Sequence, residues 1–219
     1  MTPPRRNVRP LVAILVPVVT LVLGLVVGAW GLRAYTNAGS PPLDVPRYSL
    51  PASWQVCPHL SGTPLAYFGV RQTSSRPWPS IEDGDAKHGC FVDFANGDDT
   101  SRAFVNVSVS IQQDDAAAHT VFTSAAKPSR EEAEEGMVVG RVAGIGTEAA
   151  GQYTAHPKPL AVRHGKCVTR SDGLVVRHGR LVLDISLDEC RVGTPPDAAA
   201  MRGADYQIAV AVMNAIPKD

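Results

Sequence analysis

Arg163, His164, Lys166, Arg170, Arg177, His178 and Arg180 crowd into one short stretch in which Asp172 is the only acid. Brought to one edge, such side chains attract anions: lipid headgroups, wall polymers or an acidic partner protein. The same charges at turns and strand ends also keep a sheet edge from pairing with another chain. Arg163, Lys166, Arg170, Arg177 and Arg180 therefore form a candidate basic patch. Cys57, Cys90, Cys167 and Cys190 offer a second chemistry. No C-x-x-C pair exists and His88, beside Cys90, has no spaced partner set, so the zinc pattern is missing and no metal site is expected. An even number of cysteines in an exported domain reads as two disulfides, which leaves no thiol nucleophile. There is no G-x-S-x-G, H-E-x-x-H or Walker A sequence. Gly144-Ile145-Gly146 is a turn, because Ala149 stands where a dinucleotide loop needs its third glycine. The acidic cluster Glu131, Glu132, Glu134 and Glu135 lacks the spacing of a calcium loop and reads as a solvated face. The six histidines are scattered singly, with His164 and His178 expected exposed at turn tips. Neither a catalytic set nor a cofactor is expected.

The elements that hold these residues are mostly strands. Cys90-Phe91-Val92-Asp93-Phe94 is a strand, Asn96-Gly97-Asp98-Asp99 a turn, and Phe104 to Ile111 alternates apolar and polar residues with a period of two. Asn106-Val107-Ser108 matches a glycosylation sequon but sits mid-strand. Residues 71–88, rich in Ser, Pro and charge, read as a surface loop. Asp114 caps a helix to about Ala126 with Ala117, Val121, Phe122 and Ala125 as its apolar stripe. Met137–Val142, Gln152–Thr154, Leu160–Arg163 and Cys167–Arg170 are short strands, with a turn at His164-Gly165. Leu174–Arg177 and Arg180–Leu187 flank His178-Gly179 as a hairpin. A two-residue loop there puts Arg177 opposite Arg180 and, in the same register, Cys167 opposite Cys190, within disulfide reach. Cys57–Cys90 follows by elimination. Four cysteines allow three pairings, and a bulge at the Ser171-Asp172-Gly173 break shifts that register, so the others stay open. Thr194 and Pro195 start a final helix whose Met201, Ala204, Ile208, Val212 and Ala215 face the sheet. The order of elements gives an α+β domain: a twisted antiparallel sheet packed by helices on one face.

Leu11 to Leu32 carry no charge, behind Arg5, Arg6 and Arg9. At about 1.5 Å per residue this run spans about 33 Å, enough for a bilayer core of about 30 Å. It exceeds the apolar core of a signal peptide and no clean A-x-A site follows, so it reads as an uncleaved anchor. The arginines keep the N-terminus in the cytoplasm, and Trp30 and Tyr35 suit the outer interface. Gly24 and Gly28 make a G-x-x-x-G that permits close helix contact. The division is a cytoplasmic tail at 1–10, a transmembrane helix at 11–32, a Pro-rich tether at 33–52 and an extracytoplasmic α+β domain at 53–217. The chain balances 21 basic and 21 acidic residues; beyond Arg33 it holds 17 against 21, net −4. That excludes a typical nucleic-acid binder.

The outer part, over roughly residues 53–217, resembles the extracytoplasmic domains of actinobacterial lipoproteins of unknown function and the related sensor domain of mycobacterial receptor serine/threonine kinases. The likeness rests on Cys57 before Pro58-His59-Leu60 and on the Gly-Cys-x-x-x-Phe strand start at Gly89-Cys90. It rests also on Val142-Ala143-Gly144-Ile145-Gly146-Thr147-Glu148-Ala149 near the family's Gly-Leu-Gly-Asp/Glu-Ala, on the Gly turn in Arg177-His178-Gly179-Arg180-Leu181-Val182-Leu183, and on a closing amphipathic helix. The resemblance implies an α+β fold with a twisted antiparallel sheet and ligand binding in a groove. The lipidated cysteine is missing, and about ten residues before the span leave no room for a kinase. The expectation is a single-pass, outward-facing binding or sensor-like module of the cell envelope, with a small ligand or an envelope protein as partner. A structural or accessory subunit of a membrane complex is the alternative.

Overall fold

The computed structural model describes residues 46–60, 71–82, 85–97, 100–134, 136–155, 157–162 and 165–218. The expected membrane span 11–32 and the residues Arg163 and His164 lie outside these. Among the described residues no helix is long and apolar enough to cross a membrane. Val45–Asp219 form one compact unit. Its strands are β1 (Arg71–Glu82), β2 (Asp85–Ala95), β3 (Ser101–Ile111), β4 (Met137–Arg141), β5 (Glu148–Thr154), β6 (Lys158–Val162), β7 (Gly165–His178) and β8 (Leu181–Val192). Its helices are α1 (Asp115–Ala125), α2 (Arg130–Glu134) and α3 (Ala198–Ala215). The strands make one antiparallel sheet in the order β1-β2-β3-β8-β7-β5-β4, with β6 also on β7. β5 and β6 share one edge of β7, taking its residues 172–177 and 165–169.

β1 and the start of β2 replace the loop expected over 71–88. Composition misled there because Pro77 and Pro79 are costly only inside a sheet. An edge strand tolerates them, since one side of its backbone needs no N–H donor.

Period-two alternation sorts the central strands into two faces. Val105, Val107 and Val109 of β3, Leu174 and Val176 of β7, and Leu181, Leu183, Ile185 and Leu187 of β8 face one way. There they pack against Met201, Ala204, Ile208, Val212 and Met213 of α3. Val175 and Val182 face the other way, with Ala150 of β5, and meet Ala118 and Phe122 of α1. The helices thus lie on both sheet faces, which corrects the one-face expectation. Two apolar residues on the second face of β7–β8 suffice to seat a short helix there. The α1 stripe also turns by about one residue: Ala118 and Phe122 are buried while Val121 is exposed. Asp114 caps α1, accepting from the Ala117 amide at 2.7 Å. The cap of α3 is Asp197, not Thr194, and takes the amides of Ala199 and Ala200.

The β7–β8 turn differs by one residue from its expected place. Gly179, at φ +60°, holds the first turn position and Arg180 the second, with His178 opposite Leu181. A left-handed first position suits glycine as in a II′ turn. The β6–β7 connection is displaced by one residue the other way, with Val162 opposite Gly165. Ser171-Asp172-Gly173 is no break: β7 runs through it in unbroken register with β8. Cys190 therefore faces Thr169 and Cys167 faces Val192. The two cysteines are diagonal neighbours, and their disulfide joins Cα atoms 5.5 Å apart. The second disulfide, Cys57–Cys90, spans 5.2 Å between Cα atoms and ties the N-terminal segment to β2. No described cysteine is free.

That segment starts earlier than Ser53. Tyr48 bridges Lys218, the Ser49 amide donates to the Pro217 carbonyl at 3.1 Å, and Tyr48 and Leu50 pack on the core. Proline-rich chain is extended chain, and extended chain can dock as readily as it can tether.

Candidate functional site

Asp184, Ser186 and Asp188 are the outward residues of β8, alternating with Leu183, Ile185 and Leu187 of the core. The strand thus buries one face beneath α3 and lifts a row of polar groups on the other. α1 covers only the end of that second face near Val175 and Val182. Beside it lies a cleft of about 420 Å³. Its floor is Ser171 and Gly173 of β7 with Asp184, Ser186 and Asp188 of β8. Gln152 and Thr154 of β5 and Met137 of β4 form a wall, and Ala125, Lys127 and Glu132 the rim.

Gly173 keeps the floor low. A Cβ there would lie 3.0 Å from the Ile185 carbonyl and 3.7 Å from the Gln152 side-chain oxygen. Gln152 is set by its own bond, donating Nε2 to the Ala125 carbonyl at 2.6 Å and thereby satisfying one end group of α1. The rim at α2 is set by a capping box. The Ser129 amide donates to Glu132 Oε2 at 2.7 Å and the Glu132 amide to Ser129 Oγ at 3.2 Å.

The two aspartates differ in their company. Asp188 accepts the Ser171 hydroxyl; burial pushes its carboxyl up and this hydrogen bond pulls it down, with burial winning. Asp184 is open to water yet recessed, so crowding protein raises its pKa although Lys87 works the other way. It makes no hydrogen bond or ion pair with a described residue. Exposed on the cleft floor with Lys87 acting on it only through space, this carboxylate suits an N–H or O–H donor and best a cationic one. Further along this face Phe91 and Phe104 stack at 6.1 Å, with the Arg76 guanidinium 5.2 Å over Phe91.

The basic residues do not gather at one surface. Arg177 pairs with Glu148 on the α1 face, where His119 also reaches that carboxylate at 3.0 Å. Burial pushes Glu148 up, but these two partners outweigh it and hold its pKa below the usual value. Arg180 donates Nε to the Gln112 carbonyl at 2.6 Å. Arg170 is on the α3 face, opposite Glu189. Lys166 is exposed near the start of β7, about 36 Å from Arg177 at about 3.3 Å per residue. Adjacency in sequence placed these side chains together; strand length and alternation separate them. His178 is not a bare turn-tip residue: it is half-buried, and its Nδ1 lies 2.7 Å from the Tyr48 hydroxyl. Burial, aided by Lys218 and Arg177, pushes its pKa down, while burial raises that of Tyr48.

The cleft carboxylates went unseen in the sequence, although alternation within Leu183–Asp188 carries the signal. A second set also went unseen. Asp172, Glu189 and Asp205 are buried between α3 and the sheet. Asp205 follows Met201 by four residues and precedes Ile208 by three, which puts an acid on the apolar stripe of α3. Among the described residues no group of three or more His, Cys, Asp or Glu side chains is arranged to hold a metal ion. Neither a protein-family model nor a curated protein matches this chain.

Proposed function

We propose that this protein is a membrane-anchored, extracytoplasmic binding module of the cell envelope. Its ligand is a small polar molecule bearing amino or guanidino groups, held in the cleft by Asp184 and Asp188. The observation that carries this reading is the exposed Asp184 carboxylate on the floor of a polar recess that also holds Asp188. Placement outside the membrane is supported by the uncharged run Leu11–Leu32 behind three arginines, and by four cysteines paired as two disulfides. The resemblance to extracytoplasmic sensor domains agrees with it. A single feature favours the alternative of an accessory subunit: β4, last in the strand order, exposes Val138 and Val139.

The test uses the full chain in mild detergent, titrated by native mass spectrometry with arginine, spermidine and ethanolamine, and with sorbitol and trehalose as neutral controls. We expect saturable binding of at least one amine over the neutral controls. Asp184→Asn combined with Asp188→Asn should weaken it about 10- to 100-fold, as loss of charge-assisted hydrogen bonds of about 1.5–3 kcal/mol implies. Absence of amine binding, or binding indifferent to the double substitution, contradicts the reading. A stoichiometric protein partner that co-purifies and is released by Val138→Asp favours the subunit instead.

A further inference from the structure

Asp205 lies mid-way along α3, 2% exposed, and neither of its carboxyl oxygens has a hydrogen-bond partner. Below it β7 presents Asp172, 3% exposed, whose Oδ1 takes the Gly173 amide at 3.2 Å while Oδ2 has no partner. β8 contributes Glu189, 0% exposed. Its Oε1 collects Ser101 Oγ of β3 and two nitrogens of Arg191, and its Oε2 is unmatched. Arg170 of β7 leaves its buried Nε unmatched. Arg202, one turn before Asp205 on α3, stacks 4.8 Å over the Tyr153 ring of β5 and acts on Asp172 through space.

The charges facing the pair come from every element around it. Arg170 and Arg202 favour ionised Asp172, and Arg191 favours ionised Glu189. Nothing comparable serves Asp205, which meets Asp172 and, from the far side of β8, Asp188. Buried carboxylates without partners are costly, and two neighbouring ones resist ionising together. Burial lifts Asp172 to about 7 in spite of its arginines. Burial first, then Asp172 and Asp188, lift Asp205 well above the usual value.

We propose that the Asp172–Asp205 pair is a proton-operated latch: α3 holds to β7 and β8 while the pair is protonated, and its hold weakens as the pair ionises. Folded-state pKa values raised above those of the unfolded chain fix the sign. The contribution is fully present below about pH 4, the unfolded aspartate value, and is lost as pH rises toward about 7 for Asp172 and higher for Asp205. The latch shares two parts with the cleft: β7, whose Ser171, Asp172 and Gly173 all border it, and Asp188, which acts on Asp205 through space.

The test is amide hydrogen exchange of α3 in the full chain in detergent between pH 5 and 8, corrected for intrinsic exchange. Opening of α3 should rise with pH, by up to about tenfold per pH unit for each proton lost. Asp205→Asn, which keeps the shape and removes the charge, should reduce that slope to the part due to Asp172. Should this variant fail to fold, Asp172→Asn should reduce the slope. Opening that is flat or falls from pH 5 to 8 in the native chain overturns the proposal, as does a slope unchanged in the folded variant.

Discussion

Gly146→Ala should cost this domain about 4 kcal/mol or more, the largest effect we expect from removing no interaction at all. Gly146 has φ +62°, where an L side chain carries a penalty of about 1–2 kcal/mol. Its added Cβ would sit 2.5 Å from the Arg177 carbonyl oxygen and 2.6 Å from Val176 Cγ1. Backbone cannot swing aside as a long side chain can. The turn must lift, and it is held by two bonds to that same carbonyl, from the Thr147 amide at 2.8 Å and its hydroxyl at 3.0 Å. Lifting also unseats Ile145, a buried side chain whose burial is worth about 1.5–3 kcal/mol. Gly144→Ala is the control. Gly144 also has a left-handed φ, +85°, but its Cβ would meet only the Tyr206 hydroxyl, at 3.6 Å. That variant should lose about 1 kcal/mol. Chemical denaturation of the three proteins checks the difference; equal losses at the two glycines contradict the packing described for this turn.

Cys57→Ser with Cys90→Ser should lower stability by about 3–4 kcal/mol. The bond closes a loop with a sequence separation of 33, and the chain-entropy relation assigns a loop of that size about 3.7 kcal/mol. For a unit of this size each kcal/mol moves the midpoint of thermal unfolding by about 2–4 °C, so the drop should be about 10 °C. The loss should concentrate at the N-terminal segment. Val56 and Leu60 sit in the main core through it, and Trp54 donates to the Ala215 carbonyl at 3.3 Å while stacking on His59. Freed of Cys90, this segment keeps those contacts but loses its covalent register on β2. Calorimetry of the double variant reads the shift. A midpoint within about 2 °C of the native protein contradicts a structural role for the bond.

Much of this architecture was legible where one physical rule dominates. The alternation in Phe104–Ile111, the Asp114 cap and the stripe Met201, Ala204, Ile208 and Val212 each follow from a single periodicity or cap. The paired cysteines follow from an even count and a hairpin, although the register that suggested Cys167–Cys190 was displaced by the glycine at the first turn position. What stayed hidden depends on third parties. β1 looked like a loop because Pro77 and Pro79 are poor strand residues anywhere but at an edge. α1 went to the second sheet face because Val175 and Val182 offered it a seat, which a one-face rule does not register. The basic run was misleading because adjacency in sequence ignores alternation and strand length. Ser171-Asp172-Gly173 resembled a break, yet each residue has a place in the strand: Ser171 on Asp188, Asp172 beneath α3, Gly173 on the cleft floor.

The proposed function depends first on where the domain lies. Intact cells producing the full chain, treated with a membrane-impermeant maleimide, test that most directly. The proposal expects no labelling of the untreated protein, and labelling of its cysteines without lysis once an impermeant reductant has opened the disulfides. Labelling that needs lysis but no reductant would place reduced cysteines inside the cell and contradict it.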